Sequence, residues 1–300
     1  MGLFCYTVCY HGNRHYLIPT IVKVSMKESI LITGCSSGIG YHCAVQLHQA
    51  GYKVIASCRH LADVERLQAQ GLHCVQLDVT DSVSIHQAIE QALLLGDGKI
   101  DVLFNNAAYG QCGALEDLPT HALRAQLETN LFGWHELTKA IIPLMLGQGR
   151  GKIIQNSSVL GLVAMKYRGA YNTSKFALEG YTDTLRLELM DTPISVSLIE
   201  PGPIVSKFRE NALHAFENTI DIAHSRHQKS YQNTIDRLGK ASPSNRFTLP
   251  PEAVLKPVQK ILNSAKPKAR YYVTQPTYIF GFLRRILPAA WLDKLLVKSD

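Results

Sequence analysis

No apolar run in this 300-residue chain approaches the roughly 20 residues needed to cross a bilayer, so nothing in it reads as a membrane span. No secretory leader is expected either. The opening segment MGLFCYTVCYHGNRHYLIPTIVKVS has no basic start, no unbroken apolar stretch and no small-residue cleavage site. The myristoylation pattern fails because Tyr6 stands where Ser or Thr is wanted. Cysteine is sparse, odd in number and scattered: the seven residues at 5, 9, 35, 43, 58, 74 and 112 exclude a disulfide framework and suit reduced thiols in a cytoplasm. Cys5, Cys9, His11 and His15 are too closely spaced for the loop of a zinc site, so no metal is expected. Acids are scarce at one end. From Lys256 onward only Asp293 and Asp300 stand against nine basic residues, a net +7 that equals the charge of the whole chain. The preceding residues are therefore neutral as a set, which excludes a general nucleic-acid binder. Internal repeats and low-complexity linkers are absent.

What is present is a globular composition, 46% hydrophobic and 18% charged, of a length that suits one large α/β domain. Residues 1–25 look foreign to the rest and are expected to be an unstructured extension, with the fold (26–300) starting at Met26. From there apolar runs read as buried parallel strands: SILIT (29–33), KVIASC (53–58), HCVQLDV (73–79), DVLFNNA (101–107), GKIIQNSS (151–158), SVSLIE (195–200) and RYYVT (270–274). Segments of helical period lie between them, such as DSVSIHQAIEQALLL (81–95). That alternation predicts a single-domain, doubly wound Rossmann-type parallel sheet of about seven strands with helices on both faces.

Two stretches carry chemistry. The first strand runs directly into TGCSSGIG (33–40), where Gly34, Gly38 and Gly40 permit a tight turn into a helix N-terminus suited to a pyrophosphate. No Lys-Ser/Thr follows, so this is not a P-loop, and the spacing is G-x-x-x-G-x-G rather than G-x-G-x-x-G. In RGAYNTSKFALEG (168–180), Tyr171 and Lys175 stand one helical turn apart, about 5–6 Å between Cβ atoms. A cation there favours the phenolate, so Lys175 is expected to draw the Tyr171 pKa down from roughly 10 towards neutrality. A phenol so tuned can pass a proton. The plain alternative is a surface Tyr and Lys that share a face by chance.

With the glycine pattern and the Tyr171/Lys175 pair stand LDVTD, NNAAYG, Asn130 in TNLFG, NSS and EPGPI, in that order. Together they make the chain resemble the short-chain dehydrogenase/reductases, from about Ser29 to Phe208 with a matching final strand near 270. The resemblance implies that Tyr171 is the acid/base, that Lys175 lowers its pKa and holds the nicotinamide ribose, and that Ser158 polarises the carbonyl. Ser157 is the alternative for that last role, and strand alternation points the two serines to opposite faces. Asn130 would break a helix locally and hold a water that links Lys175 to solvent. The cofactor-binding set implied is Gly34, Ser36, Ser37, Gly38, Ile39, Gly40, Asp78, Val79, Asn106, Ala107, Tyr171, Lys175, Pro201, Gly202 and Ile204. One departure stands out: Ala108 replaces the glycine of the family's NNAG, and its methyl could shift the site slightly.

Charge decides the cofactor. Where NAD-binding folds place an acid on the ribose 2′-OH, this chain has Cys58 and then Arg59. Nothing there repels a 2′-phosphate and a guanidinium can clamp it, so NADP(H) is expected; a merely solvated Arg59 is the alternative. Residues 203–250, polar and irregular in the sequence, are expected to form a lid over the substrate, with a surface loop as the bland reading. With CRH and PGPI, the chain is most similar to the 17β-hydroxysteroid and retinol dehydrogenase branch and its bacterial aldehyde and ketone reductases. This implies a cytoplasmic homo-oligomer, dimer or tetramer, acting on a small lipophilic carbonyl or alcohol. A 3-oxoacyl-carrier-protein reductase and a non-catalytic NADP(H) sensor are the other readings. The basic amphipathic segment 276–300 is expected to pack near the substrate mouth, with weak membrane-surface contact and a subunit interface as competing readings.

Overall fold

The computed structural model describes residues 27–240 and 246–298, together with the backbone path of 3–11 and 14–22. Strands β1 (Leu3–His11) and β2 (Arg14–Val22) pair antiparallel in a two-stranded sheet of their own. This corrects the expectation of an unstructured extension. Both runs are rich in β-branched and aromatic residues and flank Gly-Asn, a hairpin signal that the search for a leader passed over. Met26 lies outside the described residues, as do the side chains of Cys5, Cys9, His11 and His15. A chain starting at Met26 is expected to stay folded and active, because the hairpin adds no strand to the main sheet. An insoluble truncated product would show that the hairpin is required.

The main sheet has seven strands: β3 (Ser29–Ile32), β4 (Lys53–Cys58), β5 (His73–Gln76), β6 (Val102–Asn105), β7 (Gly151–Asn156), β8 (Ile194–Glu200) and β9 (Arg270–Tyr272). They lie in the order β5-β4-β3-β6-β7-β8-β9, and every neighbouring pair is parallel. Side chains alternate between two cores, as the pleat requires. Ile30, Ile32, Val54 and Phe104 face the one built with α1 (Gly38–Gln49), α2 (Leu61–Ala69) and α9 (Glu252–Leu262). Leu31, Ile55, Leu103 and Ile153 face the one built with α3 (Ser82–Leu95), α5 (Gly133–Gln148) and α6 (Gly169–Glu188). After β3 the chain builds outwards through β4 and β5, then returns to lay β6 on the other side of β3. The crevice at that reversal, beyond the strand C-termini, is where such sheets bind ligands.

Between 203 and 240 the segment is not irregular. It holds α7 (Phe208–Glu217) and α8 (Gln228–Leu238), whose Ala212, Phe216, Tyr231 and Leu238 form a small core with Cys112, Ala114 and Ile220. The apolar positions keep helical spacing, but the polar residues between them disguised it in the sequence; residues 241–245 lie outside the described set. At the C-terminus α10 (Gln275–Ile286) and α11 (Ala289–Lys298) flank Pro288.

Candidate active site

The β3–α1 loop is shaped by backbone contact. Gly34 (φ +72°) and Gly38 (φ +60°) lie in the left-handed region, and a Cβ on Gly34 would sit 2.7 Å from the Ala107 Cα. On Gly40 it would sit 2.3 Å from the Gly34 carbonyl oxygen. Across the crevice, the Asn106 and Ala107 amides donate to the Thr33 Oγ1 at 2.8 and 2.9 Å, and Asn106 Nδ2 donates to the Thr33 and Gly34 carbonyls. Thr33 was not foreseen as a site residue. Asp81 caps α3 with its own carboxylate, whereas Ser37 leaves the α1 N-terminus without a side-chain cap and no acid occupies its first turn. The glycine cradle and these free amides fit a dinucleotide pyrophosphate. Ser36 holds its carbonyl 2.8 Å from the Arg66 guanidinium of α2, another residue the sequence did not flag. Ile39 is half-buried against the core.

Arg59 emerges from β4 exposed beside His60. With Gln76, Asp78 and Ser84 they line an open depression of about 530 Å³. The Asp78 carboxylate is engaged by the Thr80 amide and hydroxyl at 2.9 and 2.8 Å, and Asp63 is engaged by Arg66 at 2.7 Å. Val79 is buried and its carbonyl abuts Gly133. Ala108 does not adopt a positive φ, so its methyl costs no backbone strain.

Helix α6 carries Tyr171 and Lys175, and the loop after β7 brings Ser158 into hydrogen-bond contact with the Tyr171 phenol. Ser157 is instead bonded to Glu179, so of the two serines Ser158 is the one that reaches Tyr171. Asn130 is fully buried in a π-helical stretch, Glu128–Phe132, that interrupts the run from α4 (Thr120–Leu127) into α5. Its Oδ1 accepts from the Tyr109 amide at 3.2 Å, and its Nδ2 donates to the Tyr109 carbonyl at 3.0 Å and to Ser174 at 3.1 Å. Lys175, only 1% exposed, donates to the Asn156 carbonyl at 2.7 Å and lies 4.6 Å from the centre of the Trp134 ring.

The ionisation expected from the sequence is reversed. Burial pushes the Tyr171 phenol up to about 12, against a smaller lowering by Ser158. Burial pulls the Lys175 amine down to about 7, against the opposing charge of Glu179. Spacing showed two groups on one helix face, but not their depth: Lys175 is buried and Tyr171 half-buried, and desolvation is the largest influence on each. Lys175 is the group held near neutrality.

Beneath them lies a charge cluster invisible in the sequence, because β8, β9 and α6 assemble it. Arg270 is bonded to Glu179, to Asp183 at 2.6 Å and to Glu200 at 2.7 Å. One guanidinium shared by three carboxylates leaves the fully buried Glu200 with an unpartnered Oε2 and a pKa pushed up to about 8 by burial and by Glu179. Unfolded, this carboxyl loses its proton near 4.5; folded, it keeps it to about 8. Its contribution to stability is therefore full below the unfolded value and is lost as pH rises through about 8. Lys175 has the opposite sign, adding stability as pH rises from about 7 to 10.5. Glu200→Gln should remove the fall between pH 5 and 8, a change of roughly 2–4 °C in Tm per kcal/mol. Parallel Tm–pH curves for the two proteins would refute this.

Pro201, Gly202 and Ile204 follow β8 to the same edge. The Pro201 carbonyl accepts from the Val159 amide at 2.8 Å, a Cβ on Gly202 would lie 2.1 Å from the Thr274 Oγ1, and Ile204 bridges to Leu249. Phe208, at the start of α7, stands edge-on to the Tyr171 ring at 5.3 Å and against Gly110. No signal short of the fold would have placed it there.

A strand-loop-helix glycine cradle and a Tyr-Lys-Ser-Asn group on an all-parallel sheet define a dinucleotide-binding oxidoreductase. The chain belongs to the short-chain dehydrogenase family, whose profile matches residues 28–216. It is 40% identical to the uncharacterized oxidoreductase YbbO of Escherichia coli over 90% of this chain and 94% of that one. It is 35% identical to human 17-beta-hydroxysteroid dehydrogenase type 1, over 82% of this chain and 77% of that one. A short-chain dehydrogenase/reductase from Burkholderia phymatum, solved with NAD, shares the fold with a TM-score of 0.73 at 24% identity, covering 91% of this chain and 96% of that one.

Proposed function

We propose that this protein is an NADP(H)-dependent reductase or dehydrogenase of lipophilic carbonyls and alcohols. The observation that carries the reading is the convergence of Ser158, Tyr171, Lys175 and Asn130 beside the glycine cradle. A bound nicotinamide supplies or accepts the hydride. Tyr171, protonated at neutral pH, gives its proton to the developing alkoxide, and Ser158 donates to the same oxygen. Lys175, poised near neutrality, resupplies the proton and holds the ribose hydroxyls, while Asn130 fixes the Tyr109 backbone and the α6 turn that bears Tyr171. The cradle residues hold the pyrophosphate. Arg59 meets the 2′-phosphate, a role favoured by a depression whose carboxylates, Asp78 and Asp81, are already hydrogen-bonded. The name of the steroid dehydrogenase relative and the apolar packing of α7 and α8 over the site favour a lipophilic substrate.

The test is NADPH oxidation against long-chain aldehydes, ketosteroids and 3-oxoacyl thioesters. Turnover of the first two is expected to exceed that of the thioesters. A thioester preference would make the protein an acyl-chain reductase, and cofactor binding with no turnover of any carbonyl would make it a sensor.

A further inference from the structure

Helix α10 is anchored by one face only. Thr277 and Gly281 are buried, a Cβ on Gly281 would lie 2.8 Å from the Tyr272 ring, and Thr274 and Thr277 exchange a hydroxyl hydrogen bond. Arg284 turns to the same side. Its guanidinium donates to the Leu162 carbonyl at 2.6 Å and lies 4.8 Å from the Phe176 ring. The opposite face carries Ile279, Phe282 and Ile286, a stripe at helical spacing in which Phe282 is 62% exposed. After Pro288 helix α11 adds Trp291 at 65% exposure and Leu295, four residues on. Leu287, Trp291, Lys294 and Leu295 line a groove of about 230 Å³. Arg285 and Lys294 are exposed beside these apolar side chains. Helix α10 contains no acid, and the one acid of α11, Asp293, is offset from Trp291 by two residues and so points away from it.

We propose that this face docks on an anionic phospholipid surface, with the aromatic and aliphatic side chains at the headgroup boundary and Arg285 and Lys294 against the phosphates. Neither helix can span a bilayer: among the described residues no helix is long and apolar enough to do so. Amphipathic helices of this kind lie in the interface plane instead, held by apolar burial and by attraction to anionic lipid. Charge selects the lipid over a second copy of this chain. A two-fold pairing would set the same cations against each other with almost no carboxylate to meet them, at a cost in like-charge repulsion. The inner face of α10 rests on the loop that follows Ser158, so docking would bring the site close to the lipid from which a lipophilic substrate would come. Only that corollary depends on the proposed activity.

The test is co-sedimentation of the full chain with vesicles of mixed phosphatidylglycerol and phosphatidylcholine, and with phosphatidylcholine alone. Binding to the mixed vesicles, weakened by salt and at least tenfold weaker on phosphatidylcholine alone, is expected. Arg285→Glu/Lys294→Glu should weaken it by at least a further tenfold, at about 1 kcal/mol per basic residue. Phe282→Ser/Trp291→Ser should weaken it comparably. These side chains are exposed, and an unchanged Tm confirms that each variant is folded. Absence of binding to mixed vesicles at low salt would overturn the proposal. So would binding indifferent to both variants, or a dimer in sedimentation velocity that Phe282→Ser/Trp291→Ser converts to monomer.

Discussion

Tyr171→Phe should lower kcat by about 10²–10⁴-fold, the range that a positioned proton donor contributes. The phenyl ring keeps the edge-on contact with Phe208 and removes only the hydroxyl bonded to Ser158. Tm should therefore stay near the wild-type value, and the cofactor Kd should change little, since the ribose contact is assigned to Lys175. Lys175→Met provides the contrast, losing both rate and cofactor affinity. In the wild-type protein the rate of reduction should change near pH 7, where Lys175 gains or loses its proton, and not near pH 10. A Tyr171→Phe enzyme of near-normal kcat would remove the phenol from the chemistry.

Arg59→Ala should cost NADPH about 10–100-fold in kcat/KM and leave NADH within a few-fold. A charge-assisted hydrogen bond contributes roughly 1.5–3 kcal/mol, and only the 2′-phosphate makes it. Arg59 is exposed and its guanidinium is hydrogen-bonded to its neighbour His60, so its removal should not disturb β4. Steady-state kinetics with both cofactors decides the matter. Equal losses for the two would assign Arg59 to the adenosine half in general, and no loss for either would return it to solvent. Arg66 is the control: it braces the Ser36 carbonyl and Asp63, so its loss should affect both cofactors alike.

The central strands were legible because they are buried on both faces and read as apolar runs, as KVIASC does at β4 without error in either boundary. HCVQLDV ends early, at Gln76, because Asp78 closes a local turn with Thr80 just beyond it. The glycines and the Tyr171/Lys175 spacing were legible because local geometry fixes their meaning. Less legible was anything that depends on depth. Whether Lys175 is cationic or neutral follows from Trp134, Asn156 and the surrounding core, and four-residue spacing carries no information about them. Glu179, four residues past Lys175, shared that same legible spacing, yet its tie to Arg270 required β9 to be placed beside β8. The two helices of 208–238 were hidden for the converse reason, since a helix with one thin apolar stripe has the composition of a loop.

The reversal of strand order between β3 and β6 also bears on how the protein comes together. Ile30 pairs with Val102 and the Thr33 hydroxyl is clipped to Asn106, so the seam joins parts of the chain that are translated far apart. Loop closure on that scale is slow compared with local helix formation. A chain whose seam is open has neither the cradle nor the Asn106 and Ala107 edge that faces it, whatever helices it already contains. A dinucleotide seated across the seam would therefore bind the closed state alone, and each increase in its concentration above Kd would shift the unfolding equilibrium by mass action. Cellular abundance of the protein would then track its supply of cofactor, with apo chains the first to be lost to proteolysis.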